Sequence, residues 1–314
     1  MDTLAVVLER PHSLTLKRLE LAPAAGPEDV VVDVEWSGIS AGTERLLWTG
    51  RMPSFPGMGY PLVPGYESVG RVVEAGVASG RHLGERVFVP GARCFGDTRA
   101  LFGGTASRLV VAGARAYPLA GSVGENGVLL ALAATAFHAA WGAGGPAPDL
   151  VIGHGALGRL LARLTVALGH PAPTVWERHD GRREGALGYA VLDPAEDPRR
   201  DYRAIYDVSG DSRLLDELIG RLAPGGEIVL AGFYSEPLAF QFAPAFLREA
   251  RFRVAAEWRP PDLDAVTRLV NDGRLPLGGL VTHRVPFAQA TLAYSTAFGD
   301  PSCVKMVIDW REAS

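Results

Sequence analysis

From residue 1 to about residue 120 the apolar positions fall in short, β-branched runs closed off by Gly and Pro. Examples are Val30-Val31-Val32-Asp33-Val34, Gly70-Arg71-Val72-Val73, Arg86-Val87-Phe88-Val89 and Arg108-Leu109-Val110-Val111. Runs of this length and spacing predict a small antiparallel barrel or sandwich rather than strand–helix–strand units. The pattern changes near Gly121. Residues 126–141 are rich in Ala and Leu and read as a helix. Strands are then expected at 150–152, 174–176, 204–207, 227–231 and 252–256, with helices at 158–168, 212–222 and 244–249. That alternation predicts a parallel, doubly wound sheet. Pro260-Pro261 reads as a break, and beyond it a helix at 263–270, a strand at 280–285, a helix at 288–298 and a last strand at 303–308 return to the first domain. The expected division is residues 1–121, completed by 260–314, and residues 122–259.

Length agrees with two domains, because single cores stop growing near ~250–300 residues and the chain has 314. A net charge of −4 without a basic run makes nucleic acid an unexpected partner. The apolar run at 128–136 falls short of a bilayer span, and the N-terminus has no basic segment leading into an apolar core. Cys94 and Cys303 are the only cysteines, which suggests neither a disulfide framework nor a four-cysteine zinc site; a reducing cytoplasm is expected.

The chemistry begins at Leu150-Val151-Ile152-Gly153-His154-Gly155-Ala156-Leu157-Gly158, where an apolar run enters G-x-G-x-x-G and a helix-compatible run follows. Gly153 permits the strand-to-helix turn, Gly155 lets backbone approach a pyrophosphate, and Gly158 lets helix pack on strand. Glu177 ends the next apolar segment about twenty residues on, where a carboxylate takes the adenosine-ribose hydroxyls and disfavours a 2′-phosphate. Arg178, Arg182 and Arg183 follow it. They are either phosphate ligands or a solvated loop, so NAD is expected ahead of NADP.

Several motifs along the chain resemble the medium-chain dehydrogenase/reductase superfamily. Ser37-Gly38-Ile39-Ser40-Ala41-Gly42-Thr43-Glu44 is similar to its C-G-x-C-G-T-D loop, and Val63-Pro64-Gly65-Tyr66-Glu67-Ser68-Val69-Gly70 to its P-G-H-E-x-x-G turn. Gly84-Glu85-Arg86-Val87, Gly103-Gly104-Thr105-Ala106, Asp207-Val208-Ser209-Gly210 and the segment from Leu222 to Leu230 match its later signatures. The resemblance implies an α/β chain: a GroES-like β-barrel catalytic domain plus a Rossmann domain with a doubly wound parallel sheet. It also implies that His154, Ala156, Leu157, Arg178 and Ser209 join the three glycines and Glu177 around the cofactor.

The departures bear on mechanism. The family's catalytic zinc takes a cysteine from the first loop and a histidine from the second turn, where this chain has Ser40 or Ala41 and Tyr66. Hydroxyls and a methyl group do not replace a thiolate and an imidazole on zinc, so no metal is expected. With these substitutions, the segment Ser37 to Val72 resembles a zinc-free branch that oxidises the hydroxyethyl substituent of a bacteriochlorophyllide, a chlorin, to acetyl with a nicotinamide cofactor. Relatives commonly dimerise through the edge strand of the nucleotide fold, so a homodimer is expected.

Without a metal a side chain must share the alcohol's proton. Thr43 matches the family's relay hydroxyl. Tyr66 is the acid/base candidate provided that a cation or hydrogen bond lowers its pKa; otherwise it is a core aromatic. Glu67 either orients a partner or holds the turn, and Glu44 caps local backbone. His138 is either a proton acceptor or a satisfied structural histidine. Ser40, Met52, Phe55 and Met58 are the expected substrate contacts, thioethers and rings suiting a flat apolar ligand; a loop packed on its own barrel explains the last three equally. A metal-free quinone or enone reductase, and a non-catalytic nucleotide-binding partner in pigment synthesis, remain open as alternatives.

Overall fold

The computed structural model describes residues 1–313 apart from 23, 55, 56 and 143, so Phe55 lies outside the described residues. The chain forms two compact units, Met1–Ala131 with Gly278–Ser314, and Leu132–Leu277. The divisions thus fall ten and eighteen residues beyond the breaks expected at 121 and 260. Two local reasons are visible. In the helical stretch Gly121–Leu129, Gly127 packs closely on Leu119 and Val69 of the first unit. Pro260 and Pro261 do not break the chain but start a helix, Pro260–Asn271, occupying first-turn positions whose N–H groups have no helical partner.

The four valine-rich runs become neighbouring strands of one seven-stranded sheet in the first unit. Its order is His283–Pro286, Met306–Asp309, Asp29–Ile39, Ser68–Ala75, Arg86–Val89 and Tyr117–Pro118, with Arg108–Ala112 also paired to Asp29–Ile39. Val30, Val32, Val34, Val72, Val87 and Leu109 share a buried cluster with Ala293, Tyr294 and Ile308, so the C-terminal segment completes this core. A four-stranded sheet adds the N-terminal hairpin Asp2–Arg10 and Ser13–Glu20, then Leu62–Pro64 and Arg99–Leu101.

The second unit has a six-stranded, all-parallel sheet in the order Ala190–Leu192, Thr174–Trp176, Leu150–Ile152, Tyr202–Asp207, Leu222–Leu230, Arg251–Val254. Numbered along the chain this is 3-2-1-4-5-6, the doubly wound arrangement, and its switch point lies beside the first strand, Leu150–Ile152. Ala190–Leu192, three residues set among glycines and prolines, went unpredicted. At the other edge Phe242, Phe246, Leu247 and Val254 are each about two-thirds or more exposed, and Phe240 stacks on Phe252 with ring centres 4.9 Å apart.

Among the described residues, Gly121–Gly142 is long and apolar enough to cross a membrane by length and composition, and most of it is buried inside the protein.

Candidate functional site

In the second unit the strand Leu150–Ile152 ends at Gly153, whose φ of +100° is open to glycine and costly for other residues. A Cβ on Gly158 would lie 1.9 Å from the Gly153 carbonyl oxygen, so this glycine is what lets the helix Ala156–Ala167 close on its strand. Gly155 differs: a Cβ there would meet nothing within 4 Å. Its bareness answers no need of the protein's own packing and leaves backbone open to an approaching group. No side chain caps this helix, so its first-turn N–H groups remain for an anion. Ala156 and Leu157 lie in that turn.

Glu177 is held in place from both sides. One carboxylate oxygen accepts the His154 N–H at 3.2 Å and the other the His179 N–H at 2.9 Å. Each retains a lone pair, so the residues fit a nicotinamide dinucleotide: glycine backbone for its pyrophosphate and Glu177 for its ribose. The His154 imidazole is fully buried under the loop, with Nδ1 2.6 Å from the Arg182 carbonyl and Nε2 2.9 Å from the Tyr189 hydroxyl. Burial lowers its pKa to about 4, so it is neutral at physiological pH and serves as a hydrogen-bonding prop. Arg178 reaches Glu217 in an exposed pair at 3.4 Å, and Arg183 bonds the Glu177 carbonyl and two aspartates. Ser209 turns inward, its hydroxyl donating to Asp207 at 2.6 Å.

His138 belongs to this unit as well. Its Nδ1 lies 2.8 Å from Asp262, which also accepts the Arg259 N–H at the start of the helix Pro260–Asn271. That geometry supports the satisfied structural histidine over a free proton acceptor.

The first unit gathers the residues predicted from the two loops. The strand Asp29–Ile39 delivers Ser40 and Thr43 at its end, and the turn before the strand Ser68–Ala75 delivers Tyr66 and Glu67. The Tyr66 hydroxyl donates to Ser40 Oγ at 2.6 Å and stands 3.4 Å from Thr43 Oγ1. Burial, then the nearby Glu67 charge, push the Tyr66 phenol well above its ordinary pKa. The lowering that a catalytic base requires is therefore absent.

Three members of this cluster were not foreseen as such. Glu44 caps the Ser40 N–H at 2.9 Å, as expected, but its other oxygen accepts the Tyr294 hydroxyl at 2.6 Å. Fully buried, it has its pKa raised to about 7, chiefly by desolvation. Lys305 donates to both Glu67 oxygens, at 2.9 and 2.7 Å, inside the protein. A lysine within the otherwise apolar run Cys303 to Ile308 was the available signal, since buried lysines are paired.

These donors do not fit zinc. The two positions that would supply a thiolate and an imidazole hold hydroxyls bonded to each other, and the adjacent carboxylate is bound to an ammonium that would repel a dication. Among the described residues no three His, Cys, Asp or Glu side chains gather as a metal site.

Met52 and Met58 lie half-buried against the cluster Leu8, Leu47, Leu62 and Leu101, beside Trp48 and Tyr60. Each therefore spends part of its surface on its own barrel.

A family model described as the alcohol dehydrogenase GroES-like domain matches residues 26–135. The chain is 55% identical to the 2-desacetyl-2-hydroxyethyl bacteriochlorophyllide A dehydrogenase of Rhodobacter capsulatus over 314 residues, covering 100% of both. Among solved structures it is similar to a short chain alcohol dehydrogenase from E. coli CFT073 complexed with NADH, with TM-score 0.82, 22% identity and 98% and 99% coverage of the two chains. A putative zinc-binding dehydrogenase from Sinorhizobium meliloti 1021 bound to NADP gives TM-score 0.82, 21% identity and the same coverage.

Proposed function

Because the chain belongs to the 2-desacetyl-2-hydroxyethyl bacteriochlorophyllide A dehydrogenase family of the medium-chain dehydrogenase/reductase superfamily, we propose that it oxidises the hydroxyethyl group of a bacteriochlorophyllide to acetyl in bacteriochlorophyll synthesis. The observation that carries this reading is identity at more than half of all positions along the whole length of both chains. It is an alcohol dehydrogenase that works with a nicotinamide cofactor and without zinc.

A bound nicotinamide would supply the hydride acceptor for the alcohol carbon. The chain's own part starts with the loop Gly153 to Gly158, which holds the pyrophosphate, and Glu177, which takes the ribose hydroxyls. A fixed carboxylate repels a 2′-phosphate, which favours NAD over NADP. Arg178 is paired with Glu217, and Ser209 is turned toward Asp207, which leaves both as margins of the site.

At the alcohol, the Tyr66 proton is given to Ser40 Oγ, so the neutral Tyr66 oxygen accepts the substrate O–H and orients it. The proton released with oxidation passes through the hydroxyl set of Tyr66, Ser40 and Thr43, whose spacing of 2.6 and 3.4 Å supports a relay, and is given up to bulk water. Ser40, Met52, Phe55 and Met58 border the macrocycle. The protein acts in the cytoplasm as a homodimer joined at the nucleotide-sheet edge, a placement that the exposed phenylalanines there support.

The test is incubation of the purified protein with the hydroxyethyl chlorin and NAD. Acetyl product with stoichiometric NADH is expected. Turnover of quinones or enones alone would make it a reductase, and binding without turnover a non-catalytic partner. Tyr66→Phe lowers turnover and leaves cofactor affinity intact; full activity would remove Tyr66 from the mechanism.

A further inference from the structure

Three neighbouring strands of the seven-stranded sheet bring one cation to the base of both catalytic loops. Lys305 directly precedes the strand Met306–Asp309, which pairs with Asp29–Ile39 through Met306 opposite Ile39; Asp29–Ile39 pairs in turn with Ser68–Ala75 through Ser37 opposite Ser68. From there the ammonium donates to the Ile39 carbonyl at 3.2 Å, one residue before Ser40, and to both oxygens of Glu67, one residue after Tyr66. All three ammonium protons are used, so Lys305 has no donor left for a substrate. Its side chain is 2% exposed and that of Glu67 0%.

The fit around the pair is close. A Cβ on Gly38 would lie 2.3 Å from a Glu67 carboxylate oxygen, so the strand has room for the carboxylate only because residue 38 is glycine. The Gly38 N–H also donates to the Glu67 carbonyl at 2.8 Å. Burial raises the Glu67 pKa above its ordinary value, and the Lys305 ammonium opposes that without cancelling it. Glu67 acts on Tyr66 through its charge, and the remaining titratable groups of the cluster are Glu44 and, beyond it, Tyr294.

We infer that Lys305 is a positioning residue for the alcohol oxidation: it clasps the Ser40–Thr43 loop to the Tyr66–Glu67 turn by binding the Ile39 carbonyl and both oxygens of Glu67, the residue after Tyr66. The inference rests on the proposed function for what is oxidised. It goes further in assigning an ammonium, acting through Glu67, a part in that oxidation.

Lys305→Met alone would strand a buried charge, so the decisive variant is Lys305→Met with Glu67→Gln, which removes both charges at similar volume. Its melting temperature, cofactor affinity, kcat, KM and Tyr66 titration are compared with the parent. The titration is read as tyrosinate absorbance against the same protein carrying Tyr66→Phe. Expected are near-parental melting and cofactor binding, kcat lower by about ten-fold or more with little change in KM, and Tyr66 ionising at lower pH. Parental kcat with an unmoved Tyr66 titration would overturn the assignment and leave a purely structural ion pair. If the double variant does not fold, Glu67→Gln alone carries the titration, and an unmoved Tyr66 there is equally fatal. A parent that never oxidises the chlorin would defeat the proposed substrate, whereas the titration would still judge Lys305.

Discussion

Glu44 should make the barrel unit lose stability as the pH rises through neutrality, and Glu44→Gln should abolish that loss. The carboxyl is fully buried, and its pKa is lifted from an ordinary 4.5 to about 7. The folded state therefore holds a proton that the unfolded state has released. Below the unfolded value both states are protonated and the contribution is complete; it fades as the pH climbs from about 4.5 to about 7 and is gone above that. At 1.36 kcal/mol per pH unit the gap corresponds to about 3 kcal/mol. A glutamine keeps an oxygen for the Ser40 N–H and an amide group for Tyr294, and it cannot ionise. Urea unfolding of both proteins at intervals from pH 4.5 to 8 isolates the effect, since every other titrating group, Glu67 included, is common to both. Relative to wild type, the variant should gain about 3 kcal/mol across that window, most of it between pH 5 and 7. A stability difference independent of pH would refute the assignment of the proton to Glu44.

The two loop glycines should separate. Gly158→Ala forces a Cβ against the Gly153 carbonyl and should both destabilise the nucleotide unit by about 1–3 kcal/mol and weaken NADH binding in a fluorescence titration. Gly155→Ala should leave unfolding unchanged and still weaken NADH, because only the ligand needs that space; unaltered affinity would contradict the cradle. Serine at Met52, Phe55 and Met58 together should weaken pigment binding by about ten-fold, through loss of apolar contact. Normal affinity would assign those residues to barrel packing alone. Phe246→Glu, on the exposed apolar edge, should convert a dimer to a monomer in light scattering, and an unchanged mass would move the interface elsewhere.

Periodicity was most informative where each run stayed inside one packing environment. The valine-rich runs of the first unit sit in one sheet and share one core, so each reads as a strand unaided. The parallel strand Leu150–Ile152 was equally plain, being apolar throughout because both faces are covered. The reading failed where a residue's local habit was turned to another use. Pro260-Pro261 looked like a stop and is a start, because a helix tolerates proline where its N–H groups are unpaired in any case. The hairpin Asp2–Arg10 and Ser13–Glu20 carries charges on its exposed face and leaves a weaker apolar signal.

The site divides along the same line. The glycine fingerprint and Glu177 lie within 25 residues of one another, and their roles follow from backbone sterics that any reader of the chain can work out. The barrel cluster is non-local: Tyr294 meets Glu44 across 250 positions, and Lys305 meets Glu67 across 238. What the sequence offered there was an absence, the zinc ligands replaced at Ser40 and Tyr66, and an absence does not say what carries the charge instead. The structure supplies two buried carboxyls and one ammonium. One full pair, Glu67 with Lys305, leaves Glu44 without a counter-charge, and desolvation then raises its pKa toward neutrality. Burial first, and then the Glu67 charge, hold the proton on Tyr66. A zinc site acidifies its alcohol with positive charge, whereas this cluster opposes ionisation of its own phenol. In the oxidation proposed, its part is orientation and proton relay, and the pH dependence of turnover should follow the hydroxyl network.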